Sequence, residues 1–245
     1  MVETFLRPGF TFDQFACGNS NQLAFSAAAQ VTEGSASLIN PLVIYGAHGM
    51  GKSHLLNAIG HQVVSHNQNS QVICCSADSF MYTFTECLKT NQMHEFRKSF
   101  GSADFVLVDD IQRLAHKERT QEEFLYLFDR LVNRQAPIAL ACDQPPSKLK
   151  GFSGKLLSRF CGGLVVELSA PDYGTKRIII DKLALRHQVS LSEEVADFVA
   201  NIPTQNIREL EGMLIRLGAY SSLGSPVISL PMAMRYLMDV ATRKS

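Results

Sequence analysis

Residues 41–60 read PLVIYGAHGMGKSHLLNAIG: a short apolar run, a loop holding Gly46, Gly49 and Gly51, then apolar residues at helical spacing. Gly46, Gly51, Lys52 and Ser53 satisfy G-x-x-x-x-G-K-[ST] in the strand–loop–helix context that the motif requires. Glycines let the backbone turn so that successive N–H groups point inward at phosphate oxygens. The following helix N-terminus adds a favourable dipole, Lys52 reaches the terminal phosphates, and Ser53 can ligate Mg²⁺. The pattern therefore predicts an ATP-binding loop of Gly46, Gly49, Met50, Gly51, Lys52, Ser53 and His54. It also demands an α/β fold, because the loop must join a strand to a helix.

The remaining sequence agrees with that demand. PLVIYG (41–46), QVICCSA (71–77), DFVLVDD (104–110), APIALACD (136–143) and GLVVELS (163–169) are nearly continuous apolar runs, as strands covered on both faces require. Between them KSHLLNAIGHQVVSH, SFMYTFTECLKTN and TQEEFLYLFDRLVNR carry helical spacing. The alternation predicts a parallel sheet flanked by helices. After Ala170 the strand pattern ends and four helical stretches follow, punctuated by Pro171 and by the segment from Pro203 to Asn206. The expected division is an α/β nucleotide-binding core over 1–170 and a small all-helical lid over 171–245.

A phosphate-binding loop needs acidic partners at neighbouring strand ends to organise Mg²⁺ and an attacking water. FVLVDD supplies Asp109, expected to hold the metal through water, and Asp110, expected to orient or polarise the attacking water. The next strand ends in Asp143, which is either a sensor of phosphate and water or the cap of the turn DQPP.

Lys plus Arg number 23, as do Asp plus Glu. Nucleic-acid binders usually show a basic excess, so any DNA contact must be local or shared between copies. The six cysteines form no CxxC pair, which argues against zinc and against a disulfide framework. They are expected to be buried small hydrophobes in a reduced cytoplasmic protein, since neither a signal peptide nor a long apolar span is visible.

Beyond the loop, FTFDQFACGNSNQLAFSAAAQV, LVDDIQRLAHKERTQEEFLYLFDRL, LLSRFCGGLVVEL and NIRELEGMLIRL occur in one order. From about Thr11 to Val240 the chain resembles the AAA+ ATPase domain of the DnaA family of bacterial replication initiators. The resemblance implies that Arg159 in LLSRF is an arginine finger reaching the ATP of an adjacent subunit, a role suited to a permanently charged planar fork. It implies that Arg208 in NIRELEG senses the γ-phosphate from the lid; the same arginine could instead pair with Glu209 or Glu211 on its own helix. Phe12, Phe15 and Asn21 are implied beside the adenine, and read equally well as two core aromatics and a turn asparagine. Lys89, Lys117 and Arg119 are implied contacts to single-stranded DNA, or else belong to a solvated charged face.

Departures from the family pattern are also visible. Glu86 sits where initiators place a basic or neutral residue, leaving Lys89 as the only cation of its helix and weakening strand binding. Lys155 replaces a second arginine before SRF, and no basic residue follows Asp143. The resemblance starts at the AAA+ region and ends before any helix-turn-helix domain, so duplex recognition is not expected of these residues. Two readings stay open: an initiator module that self-assembles in ATP and acts as a slow ATPase switch, or a short Hda-like adaptor that lends Arg159 to a full-length initiator. A helicase loader is disfavoured by NIRELEG, and a small-molecule kinase would need a substrate pocket over the loop. Membrane-lipid association of the family has no readable signal here.

Overall fold

The computed structural model describes residues 6–33, 39–204, 206–224 and 228–241. Five strands, β1 (Leu42–Tyr45), β2 (Val72–Ser76), β3 (Phe105–Asp109), β4 (Ile138–Cys142) and β5 (Leu164–Glu167), form one sheet in the order β2-β3-β4-β1-β5. All four pairings are parallel, with Val43 opposite both Leu140 and Val165, and Cys74 opposite Leu107. The expected parallel α/β sheet is therefore present. The inner strands β3 and β4 are apolar runs buried along nearly their whole length, whereas edge strand β5 is partly exposed.

Helices α1 (Gln22–Gln30), α2 (Lys52–His66), α3 (Ala77–Lys89), α4 (Met93–Ser102), α5 (Glu118–Asn133) and α6 (Gly154–Phe160) surround the sheet or lie in its connections. Ser76 caps α3 by accepting from the Ser79 amide, and Ser153 caps α6 by accepting from the Leu156 amide. Phenylalanine replaces the missing tryptophan as the large core piece. Phe80 lies 5.2–5.5 Å, centroid to centroid, from Phe96, Phe100 and Phe124, and the cluster continues through Phe128 to Phe160. Near-perpendicular pairs such as Phe80–Phe124 suit the opposed edge and face charges of the rings.

The later helices are α7 (Tyr173–Arg186), α8 (Glu193–Asn201), α9 (Ile207–Gly224) and α10 (Leu230–Ala241). Asp172 and Ser192 cap α7 and α8 through the amides of Thr175 and Val195. Their apolar faces make a separate core of Ile180, Val195, Val199, Leu210, Leu214 and Leu237. Residues 6–15, 23–47 and 51–168 group as one compact unit, within the bounds Met1–Phe15, Leu23–Ala47 and Gly51–Leu168; the second unit gathers Ala16–Gln22, His48–Met50 and Ser169–Ser245. Among the described residues no helix is long and apolar enough to cross a membrane.

One expectation needs correcting. Cys74, Cys75, Cys87 and Cys142 are buried, but Cys161 is exposed and Cys17 is half-buried, so not every cysteine acts as a core hydrophobe. Burial pushes the Cys74, Cys75 and Cys142 thiols up to about 12, which leaves them inert.

Candidate nucleotide site

The site begins where β1 leaves the sheet. The Gly46 amide donates to the Cys142 carbonyl at 3.2 Å, and a Cβ at Gly46 would overlap the Leu168 carbonyl. Gly51 has φ +101° and stands at the N-cap of α2, a conformation that favours glycine. Lys52 therefore starts the helix with its side chain folded back over the loop. Its Nζ donates to Gly46 O at 2.7 Å and Ala47 O at 2.9 Å, and the residue is 6% exposed. Burial lowers the Lys52 pKa, an effect opposed by the nearby charges of Asp109, Asp110 and Asp143.

Asp109 ends β3, and its carboxylate accepts a hydrogen bond from the Ser53 hydroxyl and another from the Asp110 amide at 2.9 Å. Burial nevertheless raises its pKa, with help from Asp110, against those hydrogen bonds and Lys52. Asp110 adopts φ +54°, an uncommon conformation for a residue with a Cβ, and accepts from Gln112 Nε2 at 3.0 Å. Asp143 follows β4. Its Oδ1 and the Oε1 of Gln112 are buried with no hydrogen-bond partner. Because β3, β4 and β1 are neighbours, Asp109, Asp143 and the loop lie at the carboxyl ends of three adjacent strands, where open α/β sheets bind ligands.

His54 and Phe15 pack against each other at the start of α2. The His54 ring stacks on Phe10 at 4.7 Å, meets Phe15 edge-on at 5.3 Å, and bonds through Nε2 to Thr11 O at 2.9 Å. Phe12 and Phe15 both pack on Phe25. Asn21 closes a turn: its Oδ1 accepts from the Gly18 amide and its Nδ2 donates to Ala16 O. Met50 is buried.

In the helical unit, which includes His48–Met50, the Ile207 amide donates to Gly49 O at 3.0 Å. A Cβ at Gly49 would strike the Asn206 side chain. Arg208, in the first turn of α9, is exposed. Glu211 bonds to His187 and Glu209 accepts from Asn206, so both carboxylates have partners other than Arg208.

Arg159, in the last turn of α6, donates through Nε to Asp129 at 2.8 Å and is half exposed. Lys89 is paired with Glu86 at 2.9 Å, whereas Lys117 and Arg119 lie exposed at the start of α5. Sequence reasoning missed Gln121. This amide, 4% exposed, donates to Leu114 O and Gly151 O and accepts from the Ser153 amide, tying the segments that precede α5 and α6. Its polar neighbours in RTQEEF gave no hint of burial.

The glycine-rich loop with its buried lysine, set beside strand-end aspartates on a five-stranded parallel sheet, places the chain in the P-loop class of α/β folds. Comparisons with known proteins narrow this class. The family model "Bacterial DnaA ATPAse domain" matches residues 6–167. The chromosomal replication initiator protein DnaA of Geobacter sulfurreducens is 46% identical over 242 residues, 99% of this chain and 54% of that protein. The crystal structure of domain III from the Thermotoga maritima replication initiation protein DnaA superposes with a TM-score of 0.91 at 34% identity, covering 98% of this chain and all of that one. A replication initiator DnaA bound to AMPPCP and single-stranded DNA superposes with a TM-score of 0.80 at 38% identity, covering 90% of this chain and 67% of that one. The chain belongs to the bacterial DnaA ATPase-domain family. It spans about half the length of the curated relatives it matches.

Proposed function

We propose that this chain is the ATP-binding module of a DnaA-type replication initiator, a switch that assembles with ATP and comes apart after slow hydrolysis. The observation that carries the reading is the floor of the loop, where Lys52 is held by two backbone carbonyls beside the Ser53–Asp109 hydrogen bond.

The residues fit Mg-ATP. A buried ammonium whose donors rest on carbonyl oxygens can exchange them for phosphate oxygens, which carry more charge. Ser53 and Asp109 place a hydroxyl and a carboxylate together, the oxygen donors that Mg²⁺ prefers. The partnerless Asp143 Oδ1 is an acceptor waiting for a water or a hydroxyl. Bound Mg-ATP supplies the anhydride bond and neutralises part of the phosphate charge. Lys52 then holds the terminal phosphates, Ser53 and Asp109 hold the metal, and Asp110 orients water. Arg208 reads the γ-phosphate.

Arg159 completes the site of the next copy. To do so it must exchange Asp129 for phosphate oxygens, so the finger is held in reserve within a lone subunit. Single-stranded DNA engages the assembled copies through Lys117 and Arg119, with Lys89 tempered by Glu86. Particle mass in solution with Mg-ATP and with Mg-ADP tests the reading. Growth only in ATP, abolished by Arg159→Ala, is the expected result. A monomer under both conditions despite demonstrable ATP binding would refute self-assembly and favour the adaptor role.

A further inference from the structure

The chain is neutral overall, so a local concentration of positive charge has meaning. One exists outside the nucleotide site and outside the three cations already assigned to strand contact. A cleft of about 590 Å³ between α4 and α5 is lined by His94, Arg97, Lys98, Ser102, Tyr126 and Arg130, together with Gly101. On α4 these residues follow the spacing i, i+3, i+4, i+7 and i+8, which puts them on one face.

The cleft is built rather than accidental. Arg97 is clamped by two 2.7 Å bonds to Glu123 and lies 5.0 Å from the centre of the Tyr126 ring, so its position is fixed while its charge is neutralised. Arg130 lies 5.8 Å from the same ring, and its Nη1 reaches the Tyr126 hydroxyl at 3.4 Å. Gly101 leaves room for it, since a Cβ there would come to 3.0 Å from Arg130 Nη2. Arg134, one turn further on at the C-cap of α5, donates to the Gly101 carbonyl. Lys98 and Arg130 are exposed, and after the Arg97–Glu123 pair cancels they leave the lining with an excess of positive charge.

We propose that this cleft is a phosphate site for a single nucleic-acid strand, separate from the ATP loop. Two features favour a strand over a free anion. Arg119, Glu123, Tyr126 and Arg130 follow one another on α5 at spacings of four, three and four, so the cleft continues the stripe that starts at Arg119. The distance along the helix from Arg119 to Arg130 is about 16 Å, a span of a few nucleotides. Moreover, exposed Tyr126 puts an aromatic ring beside cations, the combination that single-strand grooves use for bases and backbone. The proposal rests on the reading that the chain engages single strands, and it adds where the strand runs.

The test is fluorescence anisotropy of a labelled oligothymidine across a salt series, with the unaltered chain in Mg-ATP, Lys98→Gln/Arg130→Gln, and Lys117→Gln/Arg119→Gln. Each cation lost from a single-strand contact lowers the slope of log affinity against log salt by about 0.7, so Lys98→Gln/Arg130→Gln should lower it by about 1.4 and weaken binding on the order of tenfold at 0.1 M salt. Melting temperature and binding of a fluorescent ATP analogue should be unchanged, because both side chains are exposed and outside the loop. An unchanged slope in that variant, with binding lost in Lys117→Gln/Arg119→Gln, would overturn the cleft proposal and leave strand engagement standing. No binding by the unaltered chain would overturn both. Loss of binding to phosphatidylglycerol vesicles with strand binding intact would overturn it in favour of a membrane surface.

Discussion

Two places in the α/β unit hold a buried ionised group, and they treat it in opposite ways. At the α4–α5 edge, Glu123 is 7% exposed, and Arg97 meets it with two parallel hydrogen bonds of 2.7 Å. At the loop, Lys52 is equally buried, yet its hydrogens go to the carbonyls of Gly46 and Ala47. The neighbouring Asp109 is raised by burial, and Asp143 keeps an oxygen without a partner. The first pair is closed and stabilises the fold. The second group of charges is left incompletely matched, which costs stability and leaves capacity for an anionic ligand and its metal.

The difference is broken most directly at the loop. Lys52→Ala is expected to weaken ATP binding by at least a hundredfold, measured by titration with a fluorescent analogue, while the unliganded melting temperature hardly moves. If that variant unfolded instead, Lys52 would be a structural ion like Arg97. The reverse should hold at the edge. Arg97→Ala leaves Glu123 buried without its partner and is expected to cost about 2 kcal/mol, below the ~3–5 kcal/mol of a fully buried pair because Arg97 is itself half exposed. Its ATP affinity should not change. Denaturant unfolding and the same titration, run on both variants, separate the two roles.

The aspartate at the end of β3 sharpens the contrast through pH. Its pKa is raised in the fold, so the protonated form is favoured there, and ionised Asp109 opposes folding at neutral pH. The contribution is fully favourable below the ordinary carboxylate range and is lost as pH rises through the raised value. Asp109→Asn keeps an oxygen for Ser53 and the Asp110 amide but carries no charge. It should raise the melting temperature at pH 7, since it removes a charge that burial disfavours. The advantage should vanish near pH 3, and Mg²⁺-dependent hydrolysis should be lost throughout. A lower melting temperature at pH 7 would mean that the hydrogen bonds outweigh burial.

The sequence and structure agree where one physical cause dominates. Five apolar runs became five strands, because only a covered parallel sheet accommodates strands that lack polar alternation. α2 spans the same residues, Lys52–His66, as its sequence pattern, since the glycine-rich loop marks its start. α4 escaped notice because MHEFRKSFGS buries just two residues, Phe96 and Phe100, in a polar stretch that ends near a glycine. Missing that helix hid the basic cleft as well. The loop lysine and the strand-end aspartates were readable as types and order. That β3, β4 and β1 are neighbours, and that Asp110 takes a positive φ, are tertiary facts with no local signature. Gln121 was unreadable for a similar reason, since its partners Gly151 and Ser153 lie about thirty residues away in sequence.

The smallest expected effect concerns the exposed pair Glu86–Lys89 on α3, the open counterpart of Arg97–Glu123. Both side chains are solvated, and the lysine is raised mainly by its hydrogen bond to Glu86. A pair of this kind adds little to stability, so Glu86→Gln should leave the melting temperature unchanged. It should free Lys89 to meet a phosphate and remove an anion from the face that carries the proposed strand contacts. Affinity for an oligothymidine is then expected to rise about two- to fivefold at 0.1 M salt, with a steeper salt dependence. The gain should disappear in Glu86→Gln/Lys89→Gln, because the added contact belongs to the lysine. An equal gain in both variants would assign the effect to removing repulsion alone and take Lys89 off the strand path.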